Sequence, residues 1–255
     1  MSEMRKNKVK EIWAKDETVL CGWIATESTV LAEMVGASSC DAVVVDLQHG
    51  ASDIHNLLGM MQAISATDAV PMVRLPGNVP EIIMKSLDLG AYGVICPLVN
   101  TAEEAAAFVS ATRYPPQGGR SFASSRVFQY AGADYFDHAN EEIVKLAMIE
   151  TEEGLANLDE ILAVDGLDGV FIGPTDLAIA LGLRPGPEGT HQKLEDAITH
   201  IVARTKAAGK KSGIFASGGA GAKRRKSEGL DLVVPTADLY LLKKILADEL
   251  AIYHS

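Results

Sequence analysis

The amino-acid sequence predicts a (β/α)8 barrel. The chain has 255 residues, and a barrel of this kind typically takes roughly 250. Short runs rich in Val and Ile alternate with helical segments, and the eight such runs are the number that closes a barrel. Several of these runs are continuously apolar, as in VVVD and VFIG, which is typical of strands buried on both faces of a parallel sheet. An open, doubly wound sheet is the alternative that this pattern leaves open.

The predicted elements follow from these runs and from helix-end signals. Pro80 and Gly90 bracket one helix, with Pro in the first turn and Gly past the end, and the TAEE motif predicts a capping box with Glu104 at the third helical position. The segment 113–140 is predicted to be one long irregular loop, which is uncommon unless functional. No linker or repeat interrupts the chain, so residues 1–255 are predicted to form one domain. The predicted strands are 19–24, 42–46, 70–74, 93–96, 145–150, 169–172, 212–215 and 230–234, and the predicted helices are 80–89, 101–110, 152–162, 191–208 and 237–253.

Composition and charge exclude several classes of protein. The hydrophobic fraction of 47% excludes a disordered chain, and the net charge of −11 argues against binding to nucleic acid or to an anionic membrane. The KRRK run at 223–226 is predicted to be a solvated helix face. The three cysteines are scattered and lack C-x-x-C spacing, which is typical of a reducing compartment. The N-terminus has no apolar run of signal-peptide length, and no apolar run reaches the about 18 residues of a membrane-spanning helix. A soluble, cytoplasmic protein is therefore predicted.

Polar residues end several of the predicted strands. Asp46 and His49 follow the second strand, Arg74 ends the third, Glu150 ends the fifth, and Asp176 follows the sixth in a GPTD motif. Because active sites of such barrels lie at the C-terminal ends of the strands, these side chains are expected to converge at one mouth.

Glu150 and Asp176 are the candidate metal ligands. An oxygen-only pair suits a hard divalent cation such as Mg²⁺ or Mn²⁺, which leaves coordination positions for a substrate. The alternatives are structural: Glu150 could cap the helix that follows it, and Asp176 could be a plain N-cap.

A 2-oxo acid is the predicted substrate of this mouth. Gly173, Pro174, Thr175 and Asp176 open a short helix, whose backbone N–H groups could receive the substrate carboxylate. Arg74 could hold the ketone oxygen as it becomes an enolate, or could instead belong to a structural ion pair.

Two further expectations concern the proton transfers and the outer pocket. Asp46 is predicted to orient the His49 imidazole, so that the two form a general-base dyad; a solvated loop histidine is the alternative. No lysine ends a strand, which argues against a Schiff-base mechanism because Lys145 stands at a strand beginning. The SGGAG segment at 217–221 is predicted to line the outer pocket, with a surface turn as the alternative.

Several motifs in order resemble those of the HpcH/HpaI aldolases, the class II pyruvate aldolases. They are VVVDLQHG, VRLPGN, SLDLGAYGVICPLVNTAEEA, ATRYPPQGGRSF, MIETEEGLANLDEIL and DGLDGVFIGPTDLA. The likeness runs from about Gly22 to Leu239 and is closest to the hydroxy ketoacid aldolase branch. It implies a barrel of the phosphoenolpyruvate/pyruvate type, with the last helix swapped onto a neighbour in a homo-hexamer. It also implies reversible cleavage of 4-hydroxy-2-oxo acids to pyruvate, or a related acid such as hydroxypyruvate, and an aldehyde.

The resemblance also implies roles for single residues. Glu150 and Asp176 match the ligands of a divalent metal (Mg²⁺, Mn²⁺ or Co²⁺), Arg74 matches the arginine on the enolate oxygen, and His49 with Asp46 matches the base dyad. Asp88, in SLDLG, matches an aspartate that a neighbouring subunit contributes near the dyad. Two positions depart from some members: Met148 stands where they have Gln, and Gln48 where they have Glu.

Two other functions stay open at this point. An acyl-CoA thioester lyase of the malyl-CoA type would need basic residues for CoA, and the acidic chain has no obvious set. A catalytically silent barrel that binds a keto acid would bind ligand and metal without turnover.

Overall fold

Eight parallel strands close into a barrel in the computed structural model, which describes residues 4–123, 125–185, 189 and 191–255. The strands pair in chain order, and β8 returns to pair with β1. This closure confirms the predicted barrel and excludes the open sheet, which would leave two strands with unpaired edges. The strands are β1 Val19–Ile24, β2 Ala42–Asp46, β3 Val70–Arg74, β4 Gly93–Cys96, β5 Val144–Ile149, β6 Gly169–Ile172, β7 Lys211–Phe215 and β8 Leu232–Val234.

Most strands are buried along their whole length because helices cover the outside and side chains fill the inside. The predicted bounds of the fifth, seventh and eighth strands were shifted by one or two residues. The shift at β5 affects a site residue. The strand ends at Ile149, so Glu150 is the first residue after the strand and not, as predicted, its last residue.

The described part of the chain contains thirteen helices. They are α1 Lys8–Trp13, α2 Thr29–Gly36, α3 Leu57–Ser65, α4 Pro80–Asp88, α5 Ala102–Thr112, α6 Val127–Ala131, α7 Tyr135–Glu142, α8 Glu152–Ala156, α9 Leu158–Leu162, α10 Pro174–Ala180, α11 Gln192–Ala207, α12 Gly218–Ser227 and α13 Asp238–His254. Thr101 caps α5 by accepting from the Glu104 N–H at 3.2 Å, which is half of the predicted capping box. The Glu104 carboxylate accepts from the Asn100 N–H at 2.7 Å and not from the Thr101 N–H. The predicted helix 152–162 is two short helices, α8 and α9.

The prediction of one long irregular loop at 113–140 was wrong, because α6 and α7 lie within it. Neither helix has a side-chain N-cap hydrogen bond. Aromatic packing stabilises them instead: the Tyr114 and Phe136 ring centroids are 4.9 Å apart, and those of Phe128 and Tyr135 are 5.3 Å apart.

Aspartates organise the barrel floor, opposite the mouth. Asp41, Asp168 and Asp231 each precede a strand, and each carboxylate accepts the backbone N–H of the neighbouring strand, at 3.0, 2.8 and 2.9 Å. Lys145 lies beside Asp168, fully buried, and its ammonium donates to two backbone carbonyls. Lys145 therefore belongs to the barrel floor. No lysine lies among the described residues that line the mouth.

The last helix, α13, leaves its own barrel. Asp238 is its one buried residue, while large apolar side chains along it are exposed, including Leu246 at 62% and Tyr253 at 82%. No helix in the described ranges is both long enough and apolar enough to span a membrane.

Candidate active site

A cavity of about 380 Å³ opens at the C-terminal ends of the strands. Its polar wall contains five of the predicted site residues: Asp46, His49, Arg74, Thr175 and Asp176. Gly173 and Pro174 also line it. The expected convergence therefore occurs for these residues, and it follows from the parallel register, in which all the strands present their C-terminal ends to one side. Glu150 is buried and is not among the described lining residues, but its charge interacts with those of Asp176 and Arg74.

Arg74 and Asp46 form the best-ordered polar pair of this wall. Their Cα atoms are register partners on β3 and β2. The Arg74 Nε donates to Asp46 Oδ1 at 2.8 Å, and Nη2 donates to Oδ2. Burial alone would raise the pKa of Asp46, but the hydrogen bonds and charge of Arg74, with the His49 N–H and the Trp23 indole, hold that pKa below its ordinary value.

The Asp46 carboxylate does not bond to the His49 imidazole in the described part of the chain. Asp46 accepts from the backbone N–H of His49 at 3.2 Å and of Gln48 at 3.0 Å, and from the Trp23 indole at 3.2 Å. These donors and Arg74 occupy both carboxylate oxygens. The predicted side-chain dyad is corrected accordingly: Asp46 orders the turn that carries His49 and orients Arg74, while the imidazole itself is exposed to the cavity.

Glu150 and Asp176 lie close enough for their charges to interact. Burial first, and then the negative charge of Asp176, raise the pKa of Glu150, against the lowering effects of the Leu98 N–H and of Arg74. The Leu98 N–H donates to Glu150 Oε1 at 2.8 Å. A buried carboxylate beside a second carboxylate is a donor set that a hard divalent cation would stabilise. Among the described residues, no group of three or more His, Cys, Asp or Glu is arranged to hold a metal ion, so the rest of a metal's coordination would fall to water or substrate.

Gly173 leaves the space that the Glu150 carboxylate occupies. A Cβ built on Gly173 would overlap Glu150 Oε2 and would lie 3.1 Å from the Met148 methyl group. Gly173 was predicted to allow close approach of a ligand. The structure adds a second role, because the absence of a side chain at Gly173 leaves room for the Glu150 carboxylate. Gly173 precedes α10, in which Pro174 occupies the first turn and Asp176 follows within it.

Asp88 lies outside this cavity, at the end of α4. Its Oδ1 accepts from Arg120 Nη2 at 3.0 Å, and the Arg120 guanidinium is fully buried between the Tyr114 and Tyr135 rings. A contribution of Asp88 to a neighbouring subunit's site stays a prediction.

Comparison with known proteins identifies the family. A model of the HpcH/HpaI aldolase/citrate lyase family matches residues 20–233. The chain belongs to this family.

Its relatives share most of their length with it. A hydroxypyruvate/pyruvate aldolase of Rhizorhabdus wittichii is 44% identical over 250 residues, covering 96% of this chain and 100% of the relative. A 5-keto-4-deoxy-D-glucarate aldolase of Escherichia fergusonii is 38% identical over 240 residues, with 93% of each chain covered. The solved structure of an HpcH/HpaI aldolase/citrate lyase family protein from Burkholderia cenocepacia has a TM-score of 0.90 at 29% identity, covering 98% of this chain and 100% of that one. The predicted family and the predicted activity class, an aldolase, are confirmed.

The cavity also has an aromatic wall, which was not predicted and which adjoins the polar wall through Trp23, whose ring lies 5.0 Å from the Arg74 guanidinium. Trp23, Phe171, Phe215 and Tyr240 line it, and in the sequence they look like ordinary core residues. The available signal was position, since Phe215 ends a strand. The SGGAG segment, by contrast, is not part of the cavity: residues 217–221 lie at the start of α12, and none of them lines it.

Proposed function

We propose that this chain is a divalent-metal-dependent aldolase that cleaves 4-hydroxy-2-oxo acids to pyruvate, or to a related 2-oxo acid such as hydroxypyruvate, and an aldehyde. The observation that carries the proposal is that Asp176, Arg74 and His49 line one cavity, and that the nearby buried Glu150 interacts by charge with Asp176 and Arg74. The aldolase activity of the two relatives supports the same reaction class.

Glu150 and Asp176 would hold the metal. Their oxygen-only donor set and the burial of Glu150 fit a hard divalent ion such as Mg²⁺, Mn²⁺ or Co²⁺. When bound, such an ion supplies a Lewis acid that favours charge on the ketone oxygen of a 2-oxo acid. Gly173 keeps the Glu150 carboxylate free to face it.

Arg74 provides the second positive charge. Its guanidinium is held by Asp46 and also lines the cavity. In cleavage, the bond between C3 and C4 breaks and its electron pair passes to the pyruvate fragment, where the ketone oxygen becomes an enolate. A guanidinium fixed before the reaction stabilises that developing charge without having to reorganise.

His49 is the proposed base. Its imidazole is exposed to the cavity and its backbone is ordered by Asp46. It accepts the proton of the 4-hydroxyl group as the C3–C4 bond breaks, and the enolate then takes up a proton at C3 to give pyruvate. Asp46 does not bond to the imidazole because its carboxylate oxygens are occupied by other donors. Asp88 of a neighbouring subunit would therefore be the hydrogen-bond partner of the imidazole.

The subunit arrangement belongs to the same proposal. The exposed apolar side chains of α13, among them Leu246 and Tyr253, support a helix that packs on a neighbouring subunit, and a homo-hexamer is proposed. Light scattering on the intact protein tests this: a monomer at micromolar concentration would contradict it.

The test of function compares two substrate classes. We expect pyruvate release from a 4-hydroxy-2-oxo acid and no turnover of malyl-CoA, because the one arginine among the described lining residues is paired with Asp46. His49→Ala should lower kcat by about 10²-fold or more, whereas His138→Ala, at an exposed position of α7, should not. Turnover of the thioester alone would contradict the proposal, as would ligand binding without turnover.

A further inference from the structure

We infer that the outer part of the cavity is a subsite for an uncharged aldehyde, with Tyr240 as a specificity-determining residue. The inference rests on the proposed function, because it assigns the half of the substrate that leaves as the aldehyde. It concerns the aromatic wall, defined as Trp23, Phe171, Phe215 and Tyr240.

The aromatic wall is one continuous set of ring contacts. The centroid of the Trp23 ring lies 5.8 Å from that of Phe171 and 5.5 Å from that of Phe215. The centroids of Phe215 and Tyr240 are 6.3 Å apart. The contacts of Phe215 with both Trp23 and Tyr240 are edge-on, at 85° and 76°, the geometry that aromatic rings prefer. Trp23 and Phe171 are buried, whereas Tyr240 is 65% exposed. Tyr240 is therefore the outermost ring of the wall, at the entrance to the cavity.

Tyr240 is fixed to its own barrel although the rest of α13 leaves it. The buried Asp238 accepts from the Ala25 N–H at 2.7 Å, from the Thr26 N–H at 3.1 Å and from the Leu239 N–H at 2.8 Å. These bonds tie the first turn of α13 to the end of β1, whatever the later turns contact. Tyr240 therefore belongs to the same subunit's cavity.

The charges of the cavity disfavour an anionic aldehyde. The charged lining side chains are Asp46, Asp176 and Arg74, with His49 as a further titratable group. Arg74 is bonded to Asp46 through two nitrogens and lies on the polar wall. Arg74 is the one cation among the described lining residues, and its guanidinium lies 5.0 Å from the centroid of Trp23, the buried end of the aromatic wall. The described lining residues supply no second cation, so a carboxylate that reached the exposed ring of Tyr240 would be desolvated without a free cation to pair with, which is costly for a charged group. An alkyl or hydroxyalkyl chain has no such cost.

The experiment uses two four-carbon aldehydes that differ at the far end. Addition of pyruvate to butanal and to succinic semialdehyde is measured with the intact, metal-loaded protein, and the ratio of the two kcat/KM values is the readout. We expect butanal to be preferred by about tenfold or more. Exchange of the pyruvate C3 protons for deuterium, followed by NMR without any aldehyde, reports separately on enolate formation.

Charge variants test Tyr240 itself. Tyr240→Arg should shift the ratio toward succinic semialdehyde by about tenfold. Met34→Arg, which adds the same charge at an exposed position of α2 outside both the cavity and α13, should leave the ratio unchanged. Tyr240→Phe should also keep the wild-type ratio, because the ring and not the hydroxyl forms the wall.

Each outcome separates the subsite from the reaction. C3 exchange together with equal or better use of succinic semialdehyde overturns the subsite and leaves the aldolase intact. The same holds if exchange occurs and neither aldehyde reacts, or if Tyr240→Arg and Met34→Arg give the same ratio. Absence of both C3 exchange and aldol product overturns the proposed function, and the subsite with it.

Discussion

The Arg74 guanidinium is clamped by Asp46, with Nε on one carboxylate oxygen at 2.8 Å and Nη2 on the other. The Asp46 side chain is 3% exposed and that of Arg74 12% exposed. A charge pair this buried is weak evidence for stability by itself, but breaking it leaves a buried charge without a partner. Its functional value lies in fixing the direction of a guanidinium that faces the substrate.

Asp46→Asn tests this clamp. The substitution keeps the shape and removes the charge, so Arg74 loses its orientation, and we expect kcat for pyruvate release to fall by about tenfold or more. The free energy of unfolding should fall by about 1–3 kcal/mol. Asp137→Asn, at an exposed position of α7, is the control and should change neither kcat nor the free energy of unfolding. Wild-type kcat in Asp46→Asn would show that Arg74 does not need the clamp.

The same carboxylate makes a prediction about acid. Because the folded chain holds the pKa of Asp46 below its ordinary value, the unfolded chain takes up a proton first as the pH falls. The stabilising contribution of Asp46 is therefore present above the ordinary pKa and is lost as the pH drops through the lowered one. Urea unfolding at several pH values should show the difference between wild type and Asp46→Asn shrinking in acid. A difference that does not change with pH would contradict this reading of the pair.

Gly173→Ala tests the space reserved for Glu150. The new methyl group would overlap Glu150 Oε2, so the carboxylate must turn away, and we expect affinity for Mn²⁺, measured by calorimetry, to fall by about 10–100-fold. The fold should persist because the displaced atom is the end of a flexible side chain. Gly219→Ala is the matched control, since nothing lies within 4 Å of its added Cβ. Equal Mn²⁺ affinity in both variants would contradict the role of Gly173.

Lys145 makes a prediction about alkaline pH. Burial, partly offset by Asp168, lowers the pKa of Lys145 to about 8. Between pH 8 and the ordinary lysine range the unfolded chain binds the extra proton, so the free energy of unfolding should rise with pH in that window. Relative to Lys145→Met, the wild type should gain about 1–3 kcal/mol from pH 7.5 to 10. Lys206 is exposed on α11, and Lys206→Met keeps Lys145, so the difference in free energy of unfolding between wild type and Lys206→Met should not change with pH. An equal pH dependence of the two differences would contradict the assignment.

The fold was predictable because its signals are local and strong. Continuous apolar runs such as VVVD located the strands to within two residues, and the TAEE motif located the start of α5. The helices α6 and α7 could not be predicted, because neither has a side-chain N-cap. Aromatic contacts between residues far apart in the sequence, such as that of Tyr114 with Phe136, stabilise them instead.

Two polar residues of the site were predictable for the same reason, since Arg74 is the last residue of β3 and Glu150 is the first residue after β5. The hydrogen-bond partner of each side chain could not be predicted. Only the folded register reveals that Asp46 bonds to Arg74 and not to the His49 imidazole. The aromatic wall was missed because an apolar ring at a strand end has the same sequence signature as a ring in the core.

The most direct test of the metal-dependent reaction is pyruvate release from a 4-hydroxy-2-oxo acid by protein stripped of metal, before and after addition of Mg²⁺ or Mn²⁺. We expect that stripping abolishes release, that the added ion restores it, and that Glu150→Gln and Asp176→Asn each need far more ion for half-maximal rate. Full activity in excess chelator, or an unchanged ion requirement in both variants, would contradict it.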